Sequence, residues 1–296
     1  MNPSVLPKIP GVSFIRKLGE GATSTVWKGR YTATGQMVAV KILRSENCRS
    51  GEDVAKFREE AQIMATLDDP GIVKAYDFAE TEGRWYFLME YMDGYNYCDY
   101  LARKRHVREG DALLICESVA SAMALAWNEH GIVHCDIKPE NLMINSHGAV
   151  KLTDLGIAYR FRNLAVVTPS DQVSGTPAYI SPEQVHGDVE LDCRSDIYSL
   201  GATLYHLVSG RVLFPDLTDD DTMRAHVHPD AQAPDPRRWQ TTLSPGFVQM
   251  LEAMLVKDRN ARIGGWDEVK ELAAAVEAGG EFEPRENTSP SSLALD

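Results

Sequence analysis

The strongest constraint on the fold of this chain is a change in the spacing of its apolar residues. In residues 12–43, the segments "VSFIRKL", "STVWKGRY" and "QMVAVKIL" are rich in strand-forming residues and are separated by the turn-forming "GEGAT" and "TATGQ". This pattern predicts an antiparallel meander. Beyond about residue 96 the apolar residues recur at helical spacing, so a larger, mainly α-helical part is predicted to follow. The clearest helical stretches are 109–130, 195–209, 244–256 and 266–277.

The β-rich part also contains one predicted helix, "EDVAKFREEAQIMATL" (52–67), which stops just before the turn-forming "DDPG". Two further strand-like segments follow it, "IVKAYDF" (72–78) and "RWYFLME" (84–90). The β-rich and α-helical parts are predicted to join near "EYMDG" (90–94). The last residues, 278–296, are polar and contain Pro and Ser, which predicts a disordered tail.

The composition limits the classes of partner. The 296 residues are 44% apolar and 25% charged, as in an ordinary globular protein, and they carry a net charge of −13. Such an acidic chain has no global basic field with which to bind nucleic acid or an anionic membrane. We therefore expect neither nucleic acid nor a membrane surface among its partners.

The cysteines and the hydropathy predict a location. The chain has five cysteines, an odd number with no C-x-x-C pair, which indicates free thiols and neither a disulfide framework nor a zinc site. The start, "MNPSVLPKIPG", lacks the pattern of a signal peptide. Uninterrupted apolar runs such as "VASAMALAW" fall well short of the ~18 residues that span a membrane. We expect a cytoplasmic protein with no membrane segment.

A glycine-rich segment, "GEGATSTV" (19–26), lies between the first two predicted strands. By itself the spacing of Gly19, Gly21 and Ser24 is equally typical of a hairpin turn. The next strand, however, ends in "VAVK" (38–41). Glycines let backbone N–H groups approach phosphates, and a lysine on the neighbouring strand can reach the same phosphates. The pair of segments predicts a phosphate-binding loop that works with Lys41.

Four further motifs carry a specific resemblance. They are "HCDIKPEN" (134–141), "DLG" (154–156), "GTPAYISPEQ" (175–184) and "DCRSDIYSLGATLYHLVSG" (192–210). Their order and spacing resemble those of eukaryotic-like Ser/Thr protein kinases over about residues 12–277. The segment around "GTPAYISPEQ" is especially similar to the bacterial branch, which includes the PASTA-type kinases. We expect a catalytic domain without the transmembrane and extracellular parts of that group.

This resemblance implies an α+β, bilobal kinase fold. A small lobe with an antiparallel β-sheet and one key helix would span about residues 12–90, and a hinge would follow at about 90–94. A larger, mainly α-helical lobe would span about 95–277. The implied activity is transfer of the γ-phosphoryl group of ATP to Ser/Thr hydroxyls of protein substrates, with autophosphorylation as a further reaction.

The resemblance also assigns catalytic and metal-binding roles. Asp136 would orient the acceptor hydroxyl and accept its proton, while Lys138 would steady the γ-phosphate. Asn141 and Asp154 would hold Mg²⁺, with Mn²⁺ as an alternative ion. The sequence "IKPEN" favours Ser/Thr over Tyr as the acceptor, because tyrosine kinases typically have "AAR" in that segment.

Several ion pairs and hydrogen bonds are implied as well. Glu60 of "FREEAQ" would pair with Lys41, whereas the adjacent Glu59 fits a solvated helix face. Thr176 would bond the catalytic aspartate and lysine. Taken alone, Thr176 is more typical of a surface or capping residue, and the same holds for the three residues that follow. Three further residues have implied structural roles: Glu183 and Arg262 as an ion pair, and Asp196 as the anchor of the catalytic-loop backbone.

Other residues are expected to form the nucleotide pocket. Val26, Ala39 and Met143 would enclose the adenine. Met89 would be the gatekeeper, and the backbone from Glu90 to Met92 would bond the adenine edge. A plain core role is equally typical of each apolar member of this group.

Two residues depart from the family pattern. Leu155 replaces the usual Phe of D-F-G and is expected to pack with His134 and Met64. Cys135 replaces the arginine of H-R-D, which in most members pairs with a phosphorylated residue of the activation segment. Nothing in the transfer step uses that arginine, so we expect an active kinase that depends less on phosphorylation of this segment. The candidate phosphorylation sites of the activation segment are Thr168, Ser170 and Ser174. We expect them to be modified without their phosphorylation being essential for activity.

Alternatives to a protein kinase remain open from the sequence. One is a pseudokinase scaffold, which the presence of Lys41, Asp136, Asn141 and Asp154 disfavours. Another is a small-molecule kinase of the aminoglycoside phosphotransferase type, which lacks the "GTPAYISPE" segment. Cys135 is either a redox-sensitive thiol or, more simply, a small half-buried residue. The acidic "DLTDDD" (216–221) is either a docking patch or a solvated helix start.

Overall fold

The computed structural model describes residues 6–155, 159–160, 175–188 and 190–281. By its internal contacts the chain forms two compact units. The first comprises Met1–Tyr95 and Ile144–Gly156, and the second comprises Asn96–Met143 and Ile157–Asp296. The first unit thus includes a later segment, residues 144–156. The predicted single boundary near 90–94 assigns this segment to the larger lobe instead.

The first unit is built on a five-stranded antiparallel sheet with the strand order β1-β2-β3-β5-β4. The predicted meander and the predicted helix are both present, and the Ser50 side chain caps that helix by accepting from the Asp53 N–H. The elements are β1 (Val12–Glu20), β2 (Ser24–Tyr31), β3 (Met37–Leu43), α1 (Gly51–Thr66), β4 (Ala75–Thr81) and β5 (Arg84–Glu90).

Strand β4 begins three residues later than the predicted 72–78. The reason is that the first residues of the predicted strand pair with a different segment. Ile72 forms a parallel bridge with Leu152, and the Val73 N–H donates to the Leu152 carbonyl oxygen at 3.0 Å. The apolar residues at the start of the predicted strand are therefore explained by their contact with 150–152. The two segments lie about 80 residues apart in the sequence, so local periodicity cannot reveal this pairing.

Strand β3 is covered on both faces. Val38, Val40 and Ile42, on one face, are each 0% exposed and belong to a core cluster with Tyr86 and Leu88. Because side chains alternate along a strand, Ala39 and Lys41 face the other way. This alternation explains how an apolar strand presents a single charged side chain on the face opposite that cluster.

The second unit is mainly helical, and α5 is buried along nearly its whole length. The predicted helices over 109–130 and 266–277 match the observed bounds, while α5 starts two residues before 195 because the Asp192 side chain caps it. The helices are α2 (Tyr97–Lys104), α3 (Glu109–His130), α4 (Pro182–His186), α5 (Cys193–Ser209), α6 (Asp219–Val227), α7 (Pro245–Met254) and α8 (Trp266–Glu277).

Short strands lie in the second unit, in residues 144–156 of the first unit, and at the points where the chain passes from one unit to the other. They are β6 (Gly94–Asn96), β7 (Ile132–Val133), β8 (Leu142–Asn145), β9 (Val150–Leu152) and β10 (Tyr159–Arg160). Strands β7 and β10 pair, and the order of the other three is β6-β8-β9. The acidic segment 216–221 begins α6, where the Thr218 side chain caps the helix, as the helix-start interpretation expects.

Helix α3 has an unusual apolarity. Among the described residues it is the one helix that is long and apolar enough to cross a membrane by length and composition, with a mean hydropathy of 1.3. It packs against α5 and α8 inside the second unit, and ten of its residues are buried. A helix buried to this extent in a protein core needs a composition as apolar as that of a membrane-spanning helix.

Two histidines of the second unit, the buried His226 and the half-buried His206, lie within hydrogen-bond distance of tyrosine hydroxyls. The Tyr179 and Tyr198 hydroxyls lie 2.8 Å from Nδ1 of His206 and His226, respectively. Burial lowers the pKa of each imidazole to about 4, and nearby Lys257 adds to the effect at His226. Both rings are therefore neutral in the folded chain at neutral pH.

The close packing of α5 on α7 generates the first prediction. A Cβ on Gly201 would lie 2.9 Å from the Cβ of Met254, whereas one on Gly110 of α3 would meet nothing within 4 Å. Alanine favours a helix by up to ~1 kcal/mol over glycine, but overpacking costs about 1–3 kcal/mol. We expect Gly201→Ala to lower the free energy of unfolding in urea and Gly110→Ala to maintain or raise it. Equal effects of the two substitutions would contradict this packing.

The second prediction concerns pH. Between pH 4 and 6.5 the unfolded chain binds more protons at His206 and His226 than the folded chain does, so the contribution of these two histidines to stability falls as the pH drops. From pH 7 to pH 5 each histidine should remove about 2 kcal/mol from the free energy of unfolding. His226→Asn should remove about half of the pH dependence that the two histidines contribute together. The exposed His147→Asn should leave it unchanged, and an identical slope in both variants would disprove the assignment.

Candidate active site

The turn between β1 and β2 contains the predicted phosphate-binding loop. The Gly21 N–H donates to the Ser24 carbonyl oxygen at 2.9 Å, and Ser24 is buried. Among the described residues, a Cβ on Gly19 would meet nothing within 4 Å, and one on Gly21 would make only ordinary contacts with Ser24. Neither the backbone conformation nor the packing within the unit requires glycine here. The glycines instead fit a backbone that a ligand must approach closely.

Lys41 lies in a cluster of three charges within the first unit. Its Nζ is 2.5 Å from Glu60 Oε1 on α1 and 2.9 Å from Asp154 Oδ1. The Lys41 and Glu60 side chains are 11% and 5% exposed, while that of Asp154 is 51% exposed. Burial disfavours the ammonium, but the two carboxylates outweigh it and raise the Lys41 pKa. The predicted Lys41–Glu60 contact is present, and Glu59 is half-buried beside it.

Asp154 adopts a left-handed backbone conformation, with φ of 63°. Aspartate tolerates this region better than most residues. The conformation accompanies a half-exposed carboxylate that contacts Lys41 and still reaches solvent. The following Leu155 and Met64 of α1 are both buried, as expected of packing residues.

The second unit places three polar side chains around Asp136. Its Oδ1 accepts from the Thr176 hydroxyl at 2.7 Å, and its Oδ2 lies 2.5 Å from Lys138 Nζ. Lys138 Nζ also donates to Thr176 Oγ1 at 2.7 Å. Asn141 Nδ2 donates to the Asp136 carbonyl oxygen at 2.9 Å and to its Oδ2 at 3.2 Å. The network fixes both carboxylate oxygens of Asp136.

The backbone of this loop is held from α5. Asp196, fully buried, accepts from the N–H groups of His134 and Cys135 at 2.7 and 2.8 Å through its two carboxylate oxygens. The implied anchoring contact is thus present. The Thr203 hydroxyl, also on α5, donates to the Ile137 carbonyl oxygen at 3.0 Å.

Cys135 is more buried than the sequence suggested. It is 4% exposed rather than half-buried, and its φ of 66° is left-handed. Its N–H is bound by Asp196 and its carbonyl oxygen accepts from Gln184 Nε2 at 2.8 Å, so the backbone is held on both sides. Sequence reasoning missed the roles of Gln184 and Thr203. The signal for Gln184 was its place at the end of "GTPAYISPEQ"; nothing local marks Thr203.

The segment that carries Thr176 is fixed by a buried ion pair. Arg262 Nη1 and Nη2 donate to the two oxygens of Glu183 at 2.7 and 3.0 Å, and the side chains are 0% and 4% exposed. Arg262 Nε also donates to the Val256 carbonyl oxygen at 2.8 Å. A bidentate guanidinium whose other donor meets a carbonyl satisfies a buried charge well.

Residues expected around the adenine lie on β2, β3 and β5 of the first unit. Val26 is half-buried and pairs with Lys41 across the strands, and the buried Ala39 pairs with the buried Met89. These positions suit a nucleotide pocket and a core equally well.

The expected hinge residues follow β5. The Glu90 N–H donates to the Lys74 carbonyl oxygen, and the Glu90 carboxylate accepts from Lys151 Nζ at 2.8 Å. The buried Met92 accepts from the Gly94 N–H at 3.1 Å through its carbonyl oxygen. Met143, on β8, is half-buried.

The side chains expected to bind metal have the right donor chemistry. Among the described residues, both side-chain hydrogen bonds of Asn141 use Nδ2, which leaves Oδ1 to serve as an oxygen ligand, and Asp154 has a half-exposed carboxylate. Oxygen ligands of this kind suit Mg²⁺. Within the described ranges no group of three His, Cys, Asp or Glu residues could hold a metal by itself. An ion held by either residue would therefore need further oxygens, which nucleotide phosphates supply.

Some predicted residues lie outside the described part of the chain. They are Gly156, Thr168, Ser170, Ser174 and nearly all of the predicted tail. The expectations for them stay predictions.

The comparisons with known proteins agree with this geometry. The sequence profile of the protein kinase domain matches residues 12–274. Serine/threonine-protein kinase PrkC of Bacillus subtilis is 35% identical over 243 residues, which are 82% of this chain and 36% of that protein. PknB of Mycobacterium leprae is 37% identical over 81% of this chain and 38% of its own length.

A third relative, PknA of Corynebacterium glutamicum, is 33% identical over 88% of this chain and 55% of its own length. The chain thus spans between about a third and just over half of these relatives. The predicted α+β kinase fold is confirmed by the profile match together with the five-stranded sheet and the helical second unit. The match extends through both units and includes the residues around Lys41 and around Asp136, so this chain belongs to the protein kinase domain family, in its eukaryotic-like Ser/Thr branch.

Proposed function

We propose that this chain transfers the γ-phosphoryl group of ATP to serine and threonine hydroxyls of protein substrates. The observation that carries the proposal is the hydrogen-bond network of Asp136 with Thr176, Lys138 and Asn141. An aspartate fixed in this way is poised to accept a hydroxyl proton. The relatives named above are called serine/threonine-protein kinases, in agreement with this chemistry.

The first unit supplies the groups for nucleotide binding. Lys41 would contact the phosphates as a point charge, and Glu60 would hold its flexible stem. The backbone around Gly19 and Gly21 would approach the same phosphates. The residues proposed to enclose or bond the adenine are Val26, Ala39, Met89, Glu90, Met92 and Met143.

The second unit supplies the groups for transfer. Asp136 would orient the acceptor hydroxyl, and Lys138 would neutralise charge that develops on the γ-phosphoryl group. Asn141 and Asp154 would each give an oxygen ligand to Mg²⁺, or to Mn²⁺ as an alternative. The chemistry supplied by such an ion would be neutralisation of the phosphate charge.

We further propose that the catalytic loop is ordered without phosphorylation of the activation segment. The support is its set of contacts: Asp196 binds the N–H groups of residues 134 and 135, Gln184 binds the Cys135 carbonyl oxygen, and Asn141 binds that of Asp136. None of these contacts uses a phosphate. A cysteine at position 135 cannot attract one, and its burial favours a packing role over a redox role.

Other parts of the proposal follow from the same features. The "GTPAYISPEQ" segment, anchored by Glu183 and Arg262, favours a protein acceptor over the small molecules of aminoglycoside phosphotransferases. The intact Lys41, Asp136, Asn141 and Asp154 favour a catalyst over a pseudokinase. The five cysteines are free thiols, which is consistent with a cytoplasmic location. We take 12–277 as the catalytic domain, with autophosphorylation as an additional reaction.

The third prediction tests catalysis directly. Asp136→Asn should reduce phosphate transfer from labelled ATP with Mg²⁺ to a generic basic protein by at least about a hundredfold, because the amide cannot accept the proton. The exposed Asp267→Asn on α8 serves as the matched control and should be as active as the wild type. Equal activity of the wild type and Asp136→Asn would disprove the role of Asp136. Absence of transfer in the wild type would disprove the proposed activity in this assay.

The fourth prediction tests independence from phosphorylation. Phosphatase-treated enzyme in which Thr168, Ser170 and Ser174 are all changed to Ala should retain most of its initial rate. A loss greater than about tenfold, or ~1.4 kcal/mol of activation free energy, would contradict the idea. Phosphatase-treated wild type serves as the reference in the same assay.

A further inference from the structure

Arg44, the first residue after β3, contacts the tip of the phosphate-binding loop, although it lies outside the kinase motifs of the sequence. Its Nη2 donates to the Gly21 carbonyl oxygen at 2.7 Å and to Glu20 Oε1 at 2.6 Å. Its Nε donates to the same carbonyl at 3.1 Å. The Arg44 backbone N–H also donates to the Thr23 carbonyl oxygen at 2.8 Å. One residue therefore holds three positions of the loop, at 20, 21 and 23.

Glu20, which lies between the two glycines of the loop, is the acidic partner in this arrangement. It contacts Lys17 on one side and Arg44 on the other. The hydrogen bond with Lys17 and the charges of Lys17 and Arg44 keep its pKa below the ordinary value, so it is ionised at neutral pH. An exposed ion pair alone stabilises little. Here the planar guanidinium binds a carboxylate and a backbone carbonyl at once, which fixes geometry as well as charge.

The other side of Arg44 leads to α1. Its carbonyl oxygen accepts from the N–H groups of Asn47 and Cys48, both at 3.0 Å. These bonds begin the short 3-10 turn that leads to Ser50, the cap of the helix that carries Glu60. Arg44 thus joins the phosphate loop to the segment that positions the partner of Lys41.

We propose that Arg44, with Glu20 as its partner, is a positioning residue that holds the phosphate-binding loop in the shape that receives the triphosphate. The inference rests on the proposed nucleotide binding. A glycine-rich loop has a large conformational entropy that binding must remove. A loop that is already fixed loses less on binding, so the nucleotide binds more tightly. Arg44 itself touches backbone and Glu20 and is not assigned a contact with the reacting atoms.

The test measures the Kd of ATP with Mg²⁺ by calorimetry, and separately KM for ATP and kcat. Arg44→Ala and Arg44→Lys should each raise Kd and KM by about fivefold or more, with kcat changed less than about twofold, since a lysine cannot bind both acceptors through a planar fork. Glu20→Gln should weaken binding about twofold. The matched control is Arg84→Ala, which removes an arginine that donates to the neighbouring Leu43 carbonyl at 3.3 Å and should leave Kd unchanged.

Two of these variants separate loop positioning from simple charge. If Arg44 acted only as a positive charge near the phosphates, Arg44→Lys would bind ATP as well as the wild type. Under the same alternative, Glu20→Gln would bind ATP more tightly, because a negative charge is lost. Either result would overturn the proposal, as would a Kd in Arg84→Ala raised as much as in Arg44→Ala.

Folding and the proposed function are controlled separately. Thermal unfolding without nucleotide identifies any variant that fails to fold. If Arg44→Ala fails to fold, Arg44→Lys still provides the test. A wild type that binds ATP but transfers no phosphate would contradict the proposed transfer while the Kd comparison still decides the role of Arg44. A wild type that does not bind ATP would overturn both proposals.

Discussion

The catalytic loop depends on one buried carboxylate. Asp196 projects from α5, the most buried helix of the second unit, and binds two successive backbone N–H groups of the loop. A buried carboxylate is costly unless its oxygens are bonded, and two buried N–H groups are costly unless they find acceptors. The two bonds offset part of this cost on each side, although burial still raises the Asp196 pKa to about 7. With the backbone at 134 and 135 fixed, the position of the next residue, Asp136, is largely determined.

The first unit places its charged group by a different device. Lys41 lies on the central strand β3, whose apolar neighbours on the opposite face form the core of the sheet. The strand alternation alone directs Lys41 towards the face where Glu60 and Asp154 lie. The core therefore determines the direction of the side chain, and the two carboxylates determine its charge state. Removing either carboxylate would leave the ammonium less well compensated in a buried position.

Local pattern was sufficient for much of this structure. The meander, α1, α3 and α8 follow from residue spacing and capping, because each depends on neighbours a few positions apart. The contacts around Lys41, Asp136 and Asp196 followed from motif spacing, since the resemblance supplied long-range pairings. What local pattern did not indicate depends on distant partners: the bridge of Ile72 to Leu152 that delays β4, the bond of Thr203 to residue 137, and the contacts of Arg44 with the phosphate loop.

The cluster around Lys41 has a consequence for the form in which a nucleotide is accepted. It contains two carboxylates and one ammonium, so when all three are ionised it carries an excess of negative charge. A free triphosphate would meet repulsion there, whereas a triphosphate that carries a divalent cation would bring the compensating charge with it. The part of this negative charge that is exposed to solvent is the half-exposed carboxylate of Asp154. For a nucleotide that binds beside this cluster, the charge balance of the three side chains therefore favours the metal complex over the bare nucleotide.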